Sequence, residues 1–219
     1  MPLLISCLSQ KGGVGKSTLA RLIARTYAVG GWSVKIADFN TRQLTSFKWT
    51  KLREENGHQP IILGEAYNMP TMMRREMVDL VVADGRPDSD QSSLEIAKLS
   101  DLIVVPTGLP IDDLEPQLMF ANELVEKGID PDRIIMVLNK VTESEVAVRE
   151  ARQYLQNGVK FHVAKQDIAA KTAYQRAQNY GLALSEVGSN VGYLEEKADL
   201  LAAEIVELAT RLSENSNER

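Results

Sequence analysis

Short apolar runs, each closed by a polar or glycine-rich break, recur along the chain with stretches of helical period between them. Residues 3–8, 78–85, 102–106 and 134–141 are rich in Val, Ile, Leu and Ala, the pattern of buried strands, and 33–38 reads as a further strand. Residues 159–163 read as a last strand, and 61–63 as a short edge or inner strand. The intervening stretches are helical. One follows the first run over 19–25, the segment 39–49 passes from loop into a helix that fades at 54–57, and a weak one covers 71–77. A helix starts at 109–114; another covers 168–180; the last, 194–212, sets Leu194, Ala198, Leu201, Ile205, Leu208 and Leu212 on one side of an acidic helix. Strand and helix alternate throughout. This order predicts an α/β fold, one doubly wound parallel sheet with helices on both faces.

With 219 residues, 44% hydrophobic and 25% charged, the chain fits one domain over 1–212, followed by a polar tail, 213–219, expected to be disordered. A single cysteine, Cys7, excludes an intramolecular disulfide and reads as a small buried hydrophobe in the first strand. The first apolar run is too short for a signal peptide or a membrane span, so a cytoplasmic protein is expected. A net charge of −5 argues against a chain basic all over, and any nucleic-acid contact must come from a local patch. His58 and His162 have no ligand-like spacing and no metal is assigned to them.

The chemistry concentrates between the first strand and the first helix, in Ser9-Gln10-Lys11-Gly12-Gly13-Val14-Gly15-Lys16-Ser17-Thr18. Glycines let successive backbone N–H groups converge on phosphate oxygens, and the positive end of the following helix points the same way. Gly12, Gly13, Val14, Gly15, Lys16, Ser17 and Thr18 are therefore candidate nucleotide-binding positions, with Lys16 on the β- and γ-phosphates and the Ser17 hydroxyl on Mg²⁺. The strand ending in Asp84-Gly85 has the form of a Walker B strand, with Asp84 on the Mg²⁺ side. The general P-loop pattern fails by one residue, because Gln10 stands where it requires glycine.

What fits instead is K-G-G-x-G-K-[ST], which resembles the deviant Walker A box of the ParA/MinD family of ATPases. Asp38 after the second strand, Asp84-Gly85, the strand at Val104-Val105-Pro106 and Asn139-Lys140 extend the resemblance over nearly the whole chain. It looks like the small class of ParA-type partition ATPases that has no N-terminal DNA-reading domain. The resemblance implies ATP and Mg²⁺ as cofactors and an ATP-dependent homodimer in which Lys11 reaches the partner's nucleotide. It also implies an adenine contact at Asn139, non-specific DNA and a ParB-like adaptor as partners, and a cytoplasmic, nucleoid-associated location. The stretch carrying Lys160, His162, Lys165, Lys171 and Arg176 resembles the region through which ParA dimers hold DNA, with Lys165, Lys171 and Arg176 as candidate contacts and Asp167 as the only acid among them.

The departure lies in switch I. The family pattern D-x-D-P-Q meets Asp38-Phe39-Asn40-Thr41-Arg42, so Asn40 replaces the carboxylate held near the attacking water, while Gln43 lies one residue beyond the expected glutamine. An amide orients water but does not accept its proton. Lys11, Lys16, Asp38 and Asn40 are the candidate catalytic set, and slow ATP hydrolysis is expected. Alternatives are a MinD-like positioning ATPase, a low-turnover nucleotide-binding assembly protein, and an ATP-dependent biosynthetic ligase of the same superfamily. The MinD-like reading meets an acidic last helix, which anionic lipid should repel, and no membrane partner is expected.

Overall fold

The computed structural model describes residues 1–87, 91–141, 144–157, 161–188 and 191–217, the last three without their side chains. Strands β1 (Leu3–Cys7), β2 (Val34–Asp38), β3 (Leu63–Ala66), β4 (Leu80–Asp84), β5 (Leu102–Thr107), β6 (Ile134–Val141) and β7 (His162–Val163) form a sheet in the order β3-β2-β4-β1-β5-β6-β7, and β8 (Ile168–Ala169) also pairs with β6. All these pairings are parallel. The helices are α1 (Lys16–Val29), α2 (Thr45–Glu55), α3 (Gln91–Leu99), α4 (Ile111–Glu126), α5 (Glu145–Asn157), α6 (Thr172–Asn179) and α7 (Gly192–Asn217).

Strand alternation divides the core between two layers. Ile5, Cys7, Leu80, Val82 and Val104 face the side covered by α1 and α7, while Leu4, Leu8, Val81, Ala83 and Ile103 face the side of α3, α4 and α5. The chain leaves β1 toward β2 on one side, and β4 later crosses to β5 on the other. Ligands in open parallel sheets gather at the carboxyl ends of strands flanking such a reversal. Here that place is the end of β1, where the glycine loop begins.

Several elements differ from their sequence reading. Residues 168–180 are not one helix: Ile168–Ala169 pairs with β6, and α6 starts at Thr172. The strand expected at 61–63 lies at Leu63–Ala66, the 71–77 helix is a 3₁₀ segment at Pro70–Arg75, and the strand expected at 159–163 is His162–Val163. Val159 and Lys160 lie outside the described residues. Helix α7 continues to Asn217, through most of the stretch assigned to a tail, because Leu201, Ala202, Ile205, Leu208 and Ala209 anchor it on the core. Among the described residues no helix is long and apolar enough to cross a membrane.

Candidate functional site

Gly15 precedes α1 in the left-handed region at φ 110°, and a β-carbon there would overlap the Asn139 amide. Glycine is required twice over, by the backbone and by space. No side chain caps α1, and its first turn carries no acid, so its leading N–H groups and the helix dipole remain directed at the loop's concavity. The loop is tied in place by its neighbours. Asn139, buried at the end of β6, donates from Nδ2 to the Val14 carbonyl at 2.6 Å, and Lys140, at φ 55°, donates to the Gly13 carbonyl. Lys16 is buried and lies along the loop, donating to the Lys11 carbonyl at 3.0 Å. Asn139, which the resemblance places against adenine, thus also braces the P-loop through its Nδ2.

Asp84 closes the other wall. It is buried, its Oδ2 accepts from the Ser46 hydroxyl at 2.6 Å, and its Oδ1 has no hydrogen-bond partner among the described residues. A buried oxygen left unmatched is costly unless something arrives to meet it. Burial, then the nearby Asp38 charge, push its carboxyl up to about 6, against the lowering effect of the Ser46 and Ser17 hydroxyls and Arg21. Arg21 is itself lowered to about 10 by burial, against the raising effect of Asp84 and Asp38. The Ser17 hydroxyl and the Asp84 carboxylate, through its open Oδ1, suit a hard divalent cation that takes its other ligands from phosphate and water. Among the described residues no three His, Cys, Asp or Glu side chains gather into a metal site of their own.

Asp38 holds the start of α2 and is fully buried. Its oxygens accept from the backbone N–H groups of Asn40, Ser46 and Phe47 at 2.9, 2.8 and 3.0 Å. Asn40 donates from Nδ2 to Gln43 Oε1 at 3.0 Å, and its Oδ1 accepts from the Gln43 backbone at 3.3 Å. The two switch I amides therefore lie together. Lys11 does not extend freely: its Nζ pairs with the Asp113 carboxylate and donates to the Asp112 carbonyl at 3.2 Å. Gly108 makes room for that carboxylate, since a β-carbon there would overlap it.

The candidate DNA contacts do not all line one groove. Lys171 lines a groove of 720 Å³ between α5, β8 and α7, which brings it together with Arg149, Arg152 and Lys197. Lys165 and Arg176 are exposed but do not line that groove. Folding also brings acidic partners to these cations. Glu204 accepts from the Lys165 backbone at 2.9 Å, and Asp167 pairs with Lys197 at 3.4 Å and Arg152 at 3.9 Å. Sequence reading missed Arg149, Arg152 and Lys197, which come from other helices, and missed Ser46 and Arg21, whose partners are remote in sequence.

The family described as CobQ/CobB/MinD/ParA nucleotide binding domain matches residues 5–184. A search of curated protein sequences finds no match. Among solved structures, the septum site-determining protein MinD from Pyrococcus horikoshii OT3, complexed with Mg-ADP, is 15% identical at TM-score 0.74 and covers 97% of this chain and 99% of its own. A putative plasmid partition protein from Borrelia burgdorferi B31, bound to AMPPNP, is 16% identical at TM-score 0.68, covering 96% of this chain and 99% of its own. An ATP complex of Cyanothece McdA is 15% identical at TM-score 0.67, with 93% and 97% covered. At these identities the structural likeness establishes the fold.

Proposed function

Because the chain belongs to the CobQ/CobB/MinD/ParA nucleotide binding domain family, we propose that it is a ParA/MinD-type positioning or partition ATPase that binds ATP with Mg²⁺, dimerises around it and hydrolyses it slowly. The observation that carries this reading is the phosphate cradle: an uncapped α1 behind Gly15, with Lys16 and Ser17 opposite the unmatched Oδ1 of Asp84. Nucleotides in the similar structures, Mg-ADP in one and ATP or AMPPNP in others, support ATP as the ligand.

In this reading Lys16 and the α1 N–H groups neutralise and orient the phosphates, and Gly12 to Thr18 set their position. Ser17 and Asp84 would hold Mg²⁺, which supplies charge neutralisation across the β- and γ-phosphates. Asn139 acts on the nucleotide through the loop that it braces. Lys11 leaves Asp113 to reach the phosphates of a second copy, a charge supplied in trans. Hydrolysis is slow because Asn40 offers an amide where the family pattern has a carboxylate, and the same feature supports long-lived ATP-bound assemblies. DNA held through Lys165, Lys171 and Arg176, and a ParB-like adaptor, complete the partition reading.

Titration calorimetry tests its foundation. Lys16→Ala should weaken Mg-ATP binding by at least about tenfold, or ~1.4 kcal/mol. Binding as tight as that of the parent chain would show that this loop is not the phosphate site.

A further inference from the structure

Helix α2 touches the phosphate cradle at one end and the far side of the molecule at the other. At its start Ser46, fully buried, donates to Asp84 Oδ2 at 2.6 Å, and its backbone N–H donates to Asp38. The residue before the helix, Leu44, sits in the left-handed region at φ 53°, a conformation that costs a branched side chain energy and persists only where its surroundings enforce it. Eleven residues later the helix ends, a span of roughly 16 Å at 1.5 Å per residue.

The other end is riveted to the segment 178–186. Arg53, with a side chain 1% exposed, donates to the Gly181 carbonyl at 3.1 Å and forms a bidentate pair with Glu186 at 2.8 and 2.9 Å. Asn56 donates to the Tyr180 carbonyl at 2.9 Å. Trp49 is flanked by the guanidiniums of Arg21 and Arg53 at 5.5 and 5.6 Å, and its indole N–H donates to the Leu182 carbonyl at 3.3 Å. Arg21 bridges both ends, donating to the Thr45 carbonyl at 2.8 Å and to Gln178 of α6. Gly181, at φ 79°, admits the close approach, since a β-carbon would lie 2.7 Å from the Arg53 nitrogen.

We propose that α2 is a coupling lever, with Ser46 as the positioning residue that ties its leading end to Asp84 and Arg53 as the anchor that ties its trailing end to 178–186. The proposal rests on the reading that Asp84 serves the metal of a bound nucleotide. A cation drawing on Asp84 must share that carboxylate with the Ser46 hydroxyl, so any adjustment there moves the start of α2. Buried charge pairs and close backbone contacts then carry the displacement to α6, whose outer face bears Arg176, without passing through the sheet.

Hydrogen exchange of the full chain, with and without Mg²⁺ and AMPPNP, tests it. In the parent, nucleotide should slow exchange in peptides of the P-loop and of 176–186. In Ser46→Ala the P-loop should still be slowed, while the effect at 176–186 falls by about tenfold, within the usual range of site-to-site coupling; Ser46→Thr, which keeps the hydroxyl, should restore it. An unchanged effect at 176–186 in Ser46→Ala overturns the lever. A parent whose P-loop gains no protection overturns the nucleotide reading instead. The lever is then judged without ligand: Ser46→Ala must speed exchange at 176–186 and not in α4, and if it does not, the proposal falls. If Ser46→Ala fails to fold, Gly181→Ala attacks the opposite end and must speed exchange at 44–50; no change there overturns the coupling equally.

Discussion

Asn40 stands beside the phosphate cradle with both halves of its amide committed to Gln43, Nδ2 to the side chain and Oδ1 to the backbone. Its neighbour Asp38 is no freer, because three backbone N–H groups occupy its oxygens and it is buried. An amide does not take up the proton of an attacking water, and the Asp38 carboxylate is engaged by the start of α2. Asn40→Asp should therefore raise the single-turnover rate of ATP hydrolysis, by up to about 10²-fold, the lower part of the range for a positioned base. ATP affinity should not tighten, since the new charge lies away from the ground-state phosphate contacts. A rate unchanged by the substitution would place the water elsewhere. Asp38→Ala tests the division of labour between the two positions. As the acceptor that starts α2 it should cost roughly 1–2 kcal/mol, read as a lowered melting temperature, which is the usual loss for a removed helix cap. If the melting temperature stayed put while turnover fell, Asp38 would belong to the chemistry and not to the helix.

At the scale of elements, the start of α4 holds Lys11 in the single chain. Asp112 and Asp113 lie in its first turn, where the helix dipole favours acids, and Asp113 takes the lysine ammonium. A lysine engaged in cis must be released before it reaches a second copy. Asp113→Asn should then lower the protein concentration at which ATP produces a dimer in light scattering. The gain should be at most about fivefold, because Lys11 and Asp113 remain 44% and 24% exposed and such pairs are worth only ~0.2–1 kcal/mol. A dimer no easier to form than that of the parent would remove Asp113 from the assembly step. Lys11 was legible in the sequence and its partner was not, since 102 positions separate them. The same division holds across the fold. Strands such as Leu80–Asp84 announce themselves because burial on both faces leaves an unbroken apolar run. Ile168–Ala169 does not: two apolar residues before a helix carry no period of their own, and only pairing with β6 makes them a strand. The glycine loop and Asp84 were readable from local spacing, whereas Ser46 and Arg21 enter the site through tertiary contacts alone.

For the whole molecule the open question is how a chain of net charge −5 would hold a polyanion. Folding gives the three candidate cations different surroundings. Lys165 has Glu204 against its backbone, Arg176 stands on the exposed side of α6, and Lys171 joins Arg149, Arg152 and Lys197 in the groove. A single chain thus offers few groups to phosphate, and two-fold assembly doubles them. DNA binding should depend on ATP for that reason and, if these cations meet only phosphate, be indifferent to sequence. If a dimer neutralises about six phosphates, the logarithm of affinity should fall with the logarithm of salt at a slope near −5. Reversing Lys165, Lys171 and Arg176 to Glu should abolish retention measured by fluorescence anisotropy at low salt. Arg149→Glu with Arg152→Glu then decides how far the footprint extends. If the groove is part of the DNA surface, this pair should flatten the salt slope, by about 1 for each phosphate that is no longer neutralised. If only the first triple acts, the slope stays as in the parent and the groove lies outside the footprint. Full DNA affinity after the triple reversal would remove these residues from the DNA-binding surface, whatever the ATP dimer does.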